Sequence, residues 1–150
     1  MRIIVDADAC PSLESITNIA FKNNIECHLF CDYNHNLNII NAEIHYISEG
    51  YQMVDIAISN FIKTNDLLIT ADYGLACIGL SKNSLVISPS GIVYDNKNID
   101  TLLEQRYLNI LNRKQNIKTK KLKKRTKEIN KIFLDTLEQL IISNKKEREN

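Results

Sequence analysis

Four aspartates stand where strand ends and a helix start can bring them together. Ile3, Ile4 and Val5 run into Asp6, with Asp8 two residues on, in "IIVDADACP". "LLITAD" repeats the pattern and ends on Asp72, and Asp55 falls early in an amphipathic stretch after Gly50. Carboxylates gathered within about 6 Å raise one another's pKa values. A hard divalent cation offsets that repulsion, and Mg²⁺ and Mn²⁺ prefer oxygen ligands of this kind. Such an ion activates water and stabilises a phosphoryl oxygen. The candidate metal ligands are therefore Asp6, Asp55 and Asp72. Asp8 completes the candidate catalytic set, either as a ligand or as a support behind one. Singly, each Asp also suits a helix cap or a strand-end turn; recurrence at two strand ends is what favours a shared site.

The elements that must hold these residues alternate along the chain. "RIIVDAD" reads as a short buried strand that stops at its acids. A helix is expected over 11–22, with Pro11 at its first position, where a missing N–H costs nothing. "IECHLFC" reads as a second strand, the Asn-rich stretch 33–41 as irregular, and "EIHYI" as a third strand. Residues 52–63 turn helical, with Val54, Ile58, Phe61 and Ile62 in one stripe. "DLLITAD" is another apolar strand, followed by a short helix over 73–80 and by the strand candidates "SLVISP" and "GIVYD". "NIDTLLEQRYLNIL" reads as a helix capped by Asn98, and 127–143 as an amphipathic helix. Continuous apolar strands alternating with helices predict an α/β fold whose central, mostly parallel sheet is covered on both faces. In such a sheet ligands bind at the carboxyl ends of the strands, the edge where Asp6 and Asp72 both fall.

The length of 150 residues predicts one domain, 1–143, with a basic loop at 112–127, a C-terminal helix at 127–143 and a frayed tail at 144–150. With 44% hydrophobic and 25% charged residues the composition is that of an ordinary globular chain. No apolar run nears the roughly 20 residues of a membrane span, and the apolar run at the start is too short for a leader. A cytoplasmic protein with reduced thiols is expected.

The net charge of +1 hides an asymmetry. Residues 1–111 carry thirteen acids and six bases, −7; residues 112–127 carry nine bases and no acid, +9; the remainder is −1. A basic segment beside an acidic metal site suits a nucleic-acid partner, RNA being the expected one, whose phosphates the cations would hold. The candidate contacts are Arg106, Lys120, Lys121, Lys123, Lys124 and Arg125. No aromatic residue interleaves the run, so base stacking is not indicated. The plainer alternative is a solvated loop that offsets the acidic body.

Other chemistries fit the opening stretch less well. A strand followed by D-x-D resembles the start of a haloacid-dehalogenase-like phosphatase, where one Asp attacks phosphorus. Cys10 then stands where a small hydroxylic residue is needed, and "ITAD" offers one acid where that chemistry uses a pair. Cys10 at a helix N-terminus would have a lowered thiol pKa, but a C-x₅-R loop would need Arg where Ile16 stands. Cys27 and Cys31 lie about 13 Å apart on a strand, too far to share a zinc, and His28 points to the other face. His28, His35, His45 and Cys77 are read as core, structural or surface groups. Gly74, after Tyr73, allows close backbone approach at a helix start, where free N–H groups favour an anion.

Taken in order, "VDADACP", Gly50 and Asp55 spaced as G-x-x-x-x-D, "ITADYGLA", "NIDTLLEQRY" and "KKRT" resemble the YaiI/YqxD family of uncharacterised bacterial proteins. The resemblance covers residues 1 to about 140. It implies a PIN-like three-layer fold, shared with metal-dependent ribonucleases, with acids gathered at the sheet edge; on the matching positions these are Asp6, Asp8, Asp55 and Asp72. It thus implies a Mg²⁺- or Mn²⁺-dependent nuclease, or a non-catalytic nucleic-acid- or protein-binding module that keeps the fold. Two positions depart from the family pattern. Gln52 stands where the family usually has an acid, and Lys121-Leu122 where it has Gly-Pro before "KKRT".

Overall fold

The computed structural model describes residues 1–34, 36–50, 52–114 and 126–149. In chain order the elements are β1 (Arg2–Asp6), a 3-10 turn (Ala7–Ala9), α1 (Leu13–Lys22), β2 (Glu26–Asp32), β3 (Glu43–Ile47), α2 (Met53–Phe61), β4 (Leu67–Ile69), α3 (Tyr73–Ser81), β5 (Leu85–Ile87), β6 (Val93–Tyr94), α4 (Asn98–Lys114) and α5 (Lys127–Glu149). The strands form one sheet in the order β3-β2-β1-β4-β5-β6. All neighbours are parallel except β5 and β6, which form an antiparallel pair.

Alternation along the strands assigns each side chain to a layer. Ile3, Val5, Leu29, Leu67, Ile69 and Ile87 point to one face, where Ile16, Ile19 and Ala20 of α1 and Phe133, Leu137 and Ile141 of α5 cover them. Ile4, Phe30, Leu68 and Val86 point to the other, under Ile58 of α2, Leu75 and Ala76 of α3 and Ile99 of α4. The result is the expected three-layer α/β arrangement with a two-face-covered, mostly parallel sheet. Right-handed crossovers explain the division of layers. The chain winds outward from β1 through β2 to β3, then returns across the sheet through α2 to β4, on the other side of β1. The strand order therefore reverses between β1 and β4.

Local details differ from the sequence expectations for identifiable reasons. Pro11 is not the first helical residue. Cys10 is extended (φ −117°, ψ 111°), and Ser12 takes the left-handed conformation (φ 74°) before α1 begins at Leu13. Cys10 is consequently buried in the core rather than placed at the helix start. Asn98 is not the cap of α4; the Asp95 carboxylate caps it, Oδ1 accepting from the N–H groups of Lys97 (2.8 Å) and Asn98 (2.7 Å). Helix α4 continues to Lys114, into the expected basic loop. The expected frayed tail is helical through Glu149. Its Lys and Glu residues are good helix formers, and Lys145 Nζ anchors it by donating to the carbonyl (3.1 Å) and side-chain oxygen (3.2 Å) of Asn23. Among the described residues no helix is long and apolar enough to cross a membrane.

Candidate functional site

The reversal of strand order leaves a crevice at the carboxyl ends of β1 and β4, where ligands bind in open α/β sheets. Asp6 is the last residue of β1 and Thr70 follows β4 directly. Thr70 joins the two ends: its Oγ1 donates to Asp6 Oδ2 (3.0 Å) and accepts from the Asp72 N–H (3.0 Å). Asp72 then caps α3, Oδ1 accepting from the Leu75 N–H (2.8 Å). Cap and candidate site residue, alternatives in the sequence, coincide at Asp72, which caps α3 and lines the crevice. A Cβ at Gly74 would stand 3.2 Å from that same Oδ1, so the glycine leaves the carboxylate room. Asp55 enters from the first turn of α2. Asp8 does not share the strand with Asp6, because the chain turns at Ala7; it stands exposed in the 3-10 turn.

All four predicted carboxylates line one cavity of about 710 Å³. Asp6 is the buried member, 7% exposed. Burial first, and then the charges of Asp55, Asp8 and Asp72, push its carboxyl up to about 6, against the opposing hydrogen bond from Thr70. Asp55 is also raised, by burial and by Asp72. The N-terminal turns of α2 and α3 open onto the cavity, and their partial positive charge offsets part of this repulsion.

Sequence reasoning missed several lining residues. Asp32 ends β2 as Asp6 ends β1, and that signal was available in "HLFCD". Its Oδ1 accepts from the Asn34 N–H (2.9 Å), and the Asn34 side chain donates to Glu49, another lining acid. Thr70 carried no signal beyond its place before Asp72. Arg106 is the one Lys or Arg among the described lining residues. Its guanidinium lies 5.3 Å from the centre of the Tyr73 ring, which meets Tyr94 edge-on. Of the predicted nucleic-acid contacts, only Arg106 is described. Lys120, Lys121, Lys123, Lys124 and Arg125 lie outside the described residues, as does His35.

The donor set is all oxygen, which suits Mg²⁺ or Mn²⁺. The aspartates are spread around the cavity rather than closed into a cage. Among the described residues, the set of three ligand atoms lying within 4.8 Å of one another comes instead from His28, Glu43 and His45. The wider carboxylate spacing fits an ion that keeps several waters and touches one or two protein oxygens. Gln52 does not extend the acidic set; it lines the cavity as the left-handed residue (φ 60°) before α2.

Cys27 and Cys31 face the α1/α5 layer while His28 faces the other, so the three do not form a zinc site, as their spacing requires. His28 does have a partner in His45, on the neighbouring strand.

A family model for the uncharacterized YaiI/YqxD family matches residues 4–143. A UPF0178 protein of Clostridium tetani is 43% identical over 146 residues, covering 97% of this chain and 100% of that protein. One from Clostridium novyi is 42% identical over the full length of both chains, and one from Clostridium perfringens 39% identical over 94% of this chain and 95% of its own. No solved structure matches. With a family model spanning nearly the whole chain, and relatives of about the same length near 40% identity, the chain belongs to the YaiI/YqxD family.

Proposed function

We propose that the crevice at the ends of β1 and β4 is the site of a divalent-metal-dependent phosphodiesterase acting on nucleic acid, with RNA as the expected substrate. The observation that carries this reading is the convergence of Asp6, Asp8, Asp55 and Asp72 on one cavity at the reversal of strand order. Asp6, Asp55 and Asp72 would hold Mg²⁺ or Mn²⁺, one or two of them directly and the rest through its waters, and the ion's contribution would be Lewis-acid stabilisation of a phosphoryl oxygen. Without a cation, burial and the neighbouring carboxylates push the Asp6 carboxyl up to about 6; a bound divalent ion would favour its ionised, ligating form. Arg106 supplies a planar cation for a phosphate, oriented by Tyr73. The cations of 112–127, most of them outside the described residues, would hold the nucleic-acid backbone.

A second reading, a binding module that retains the fold without catalysis, is favoured by Gln52 in place of an acid and by the open spacing of the carboxylates. One experiment separates them. Wild type, Asp55→Asn and Asp72→Asn are incubated with single-stranded RNA and DNA in Mn²⁺. Asn at position 72 keeps a side-chain oxygen to cap α3, so loss of activity reports the lost charge. Cleavage by wild type that falls at least about a hundredfold in both variants supports the nuclease. Binding without cleavage by wild type replaces it with the second reading, and equal cleavage by all three proteins refutes it.

A further inference from the structure

A second cluster of chemistry-bearing side chains lies at the opposite end of the sheet, at the starts of β2 and β3. The parallel register sets His28 opposite Glu43 and Phe30 opposite His45. His28 Nδ1 and His45 Nε2 are 3.0 Å apart. Glu43 approaches His28 Nδ1 through Oε2 (3.5 Å) and His45 Nε2 through Oε1 (3.9 Å). Nitrogen and oxygen ligands at about 2.0–2.1 Å around a tetrahedral ion stand about 3.3–3.4 Å from one another. One ligand atom from each of the three residues lies within 4.8 Å of the other two, so side-chain adjustment would bring all three onto one ion.

A further contact points the same way. The other ring nitrogen of His28, Nε2, lies 3.4 Å from the Glu26 carboxylate. A histidine that ligates through one nitrogen usually donates its second N–H to a carboxylate, which sets the tautomer and strengthens the ligand. Aromatic rings hold the imidazoles in place. Phe30 stacks on His45 with centroids 4.3 Å apart, and Phe61 packs against His28 at 4.9 Å and His45 at 5.2 Å. His28 is buried, while the Glu26 and Glu43 side chains are 73% and 68% exposed, which leaves an approach and a water position on the carboxylate side. A groove of about 450 Å³ runs past Glu26, His28 and Glu43.

From this geometry we infer that His28 Nδ1, His45 Nε2 and the Glu43 carboxylate form a binding site for a borderline divalent cation of the Zn²⁺ class, with Glu26 orienting His28. Two imidazoles and one carboxylate, with an open position, suit Zn²⁺ rather than the harder ions fitted by the all-oxygen cavity. The ion would tie edge strand β3 to β2. It does not depend on the chemistry proposed for the aspartates.

The test is titration of the metal-free full chain with Zn²⁺ by calorimetry, with thermal unfolding in parallel. Wild type is expected to bind one equivalent that excess Mg²⁺ does not displace, and to melt higher. His45→Gln and Glu43→Gln, both at the accessible edge, should each weaken binding at least about tenfold. The equivalent lost in His45→Gln and Glu43→Gln should persist in Asp72→Asn, which separates this site from the acidic cavity. Co²⁺ in place of Zn²⁺ should give visible bands without thiolate charge transfer. Absence of binding, unchanged affinity in His45→Gln and Glu43→Gln, or thiolate charge transfer assigning the ion to a cysteine would each overturn the inference.

Discussion

Replacing Asp6 by Asn should make the protein more stable, and only in a certain pH range. The wild-type carboxyl is raised from its ordinary 3.8 to about 6, by burial first and then by Asp55, Asp8 and Asp72. Two units correspond to about 3 kcal/mol of native-state cost for the ionised form, at about 1.36 kcal/mol per unit. Asn removes that charge and can still accept from Thr70 Oγ1. Its amide must find acceptors of its own, so a net gain of about 2 kcal/mol is expected. In a chain of this size that is roughly 4–8 °C in melting temperature. The sign follows from linkage. The unfolded chain loses this proton near pH 3.8 and the folded one near 6, so the cost is fully present above pH 6 and fades as the pH falls toward 3.8. The gap between variant and wild type should be largest at pH 7–8 and close by pH 4. Millimolar Mg²⁺ should also narrow it, by stabilising wild type more than the variant. The assay is differential scanning calorimetry of both proteins at pH 4, 6 and 7.5, with and without Mg²⁺. A variant no more stable than wild type at pH 7.5, or a gap independent of pH, would show that neither burial nor the neighbouring carboxylates strain Asp6 in the folded state.

Two further outcomes concern the scaffold. Arg2 donates through Nε to Asp66 Oδ1 (3.0 Å) and through Nη2 to the Phe61 carbonyl (3.0 Å). Burial would raise the Asp66 carboxyl, but the bonds from Arg2 and from the Lys63 N–H hold it below its ordinary value. Arg2→Ala should cost about 3 kcal/mol in urea denaturation at pH 7. Because the stability tied to Asp66 is present above about pH 3.8 and lost below it, the deficit should shrink in acid; a pH-independent or negligible deficit would contradict the pairing. Gly79 packs α3 on the sheet so closely that an added Cβ would meet Val86 Cγ2 at 2.9 Å and Leu68 Cδ2 at 3.0 Å. Gly79→Ala should therefore lower the urea midpoint by about 1–2 kcal/mol of stability despite alanine's better helix propensity, and an unchanged or higher midpoint would mean that α3 can lift away at little cost.

What could be read before folding, and what could not, divides along the range of the interactions. Asp6 and Asp72 were legible because each ends an apolar run, a local signal, and parallel strands place such ends on one edge. Asp55 was legible as a polar residue in the first turn of an amphipathic helix. Pro11 misled because its own preference at a helix start was outweighed by the 3-10 turn before it and the left-handed Ser12 after it. The same 3-10 turn takes Asp8 out of the strand that "RIIVDAD" suggests, yet leaves it lining the cavity with Asp6. The His28–His45 pair could not be read at all. The two residues lie seventeen apart, and what joins them is the register of β2 against β3. That pairing sets His28 opposite Glu43 rather than opposite His45, so the two imidazoles meet diagonally. A slip of one residue would send His45 to the opposite face, away from His28 and Phe61. The two polar clusters therefore rest on different properties of one sheet. The aspartates depend on where strands end and on local contacts there, such as Thr70 between Asp6 and Asp72. The histidines depend on how two strands align, so a substitution that loosens edge strand β3 should dissolve the second cluster and leave the first intact.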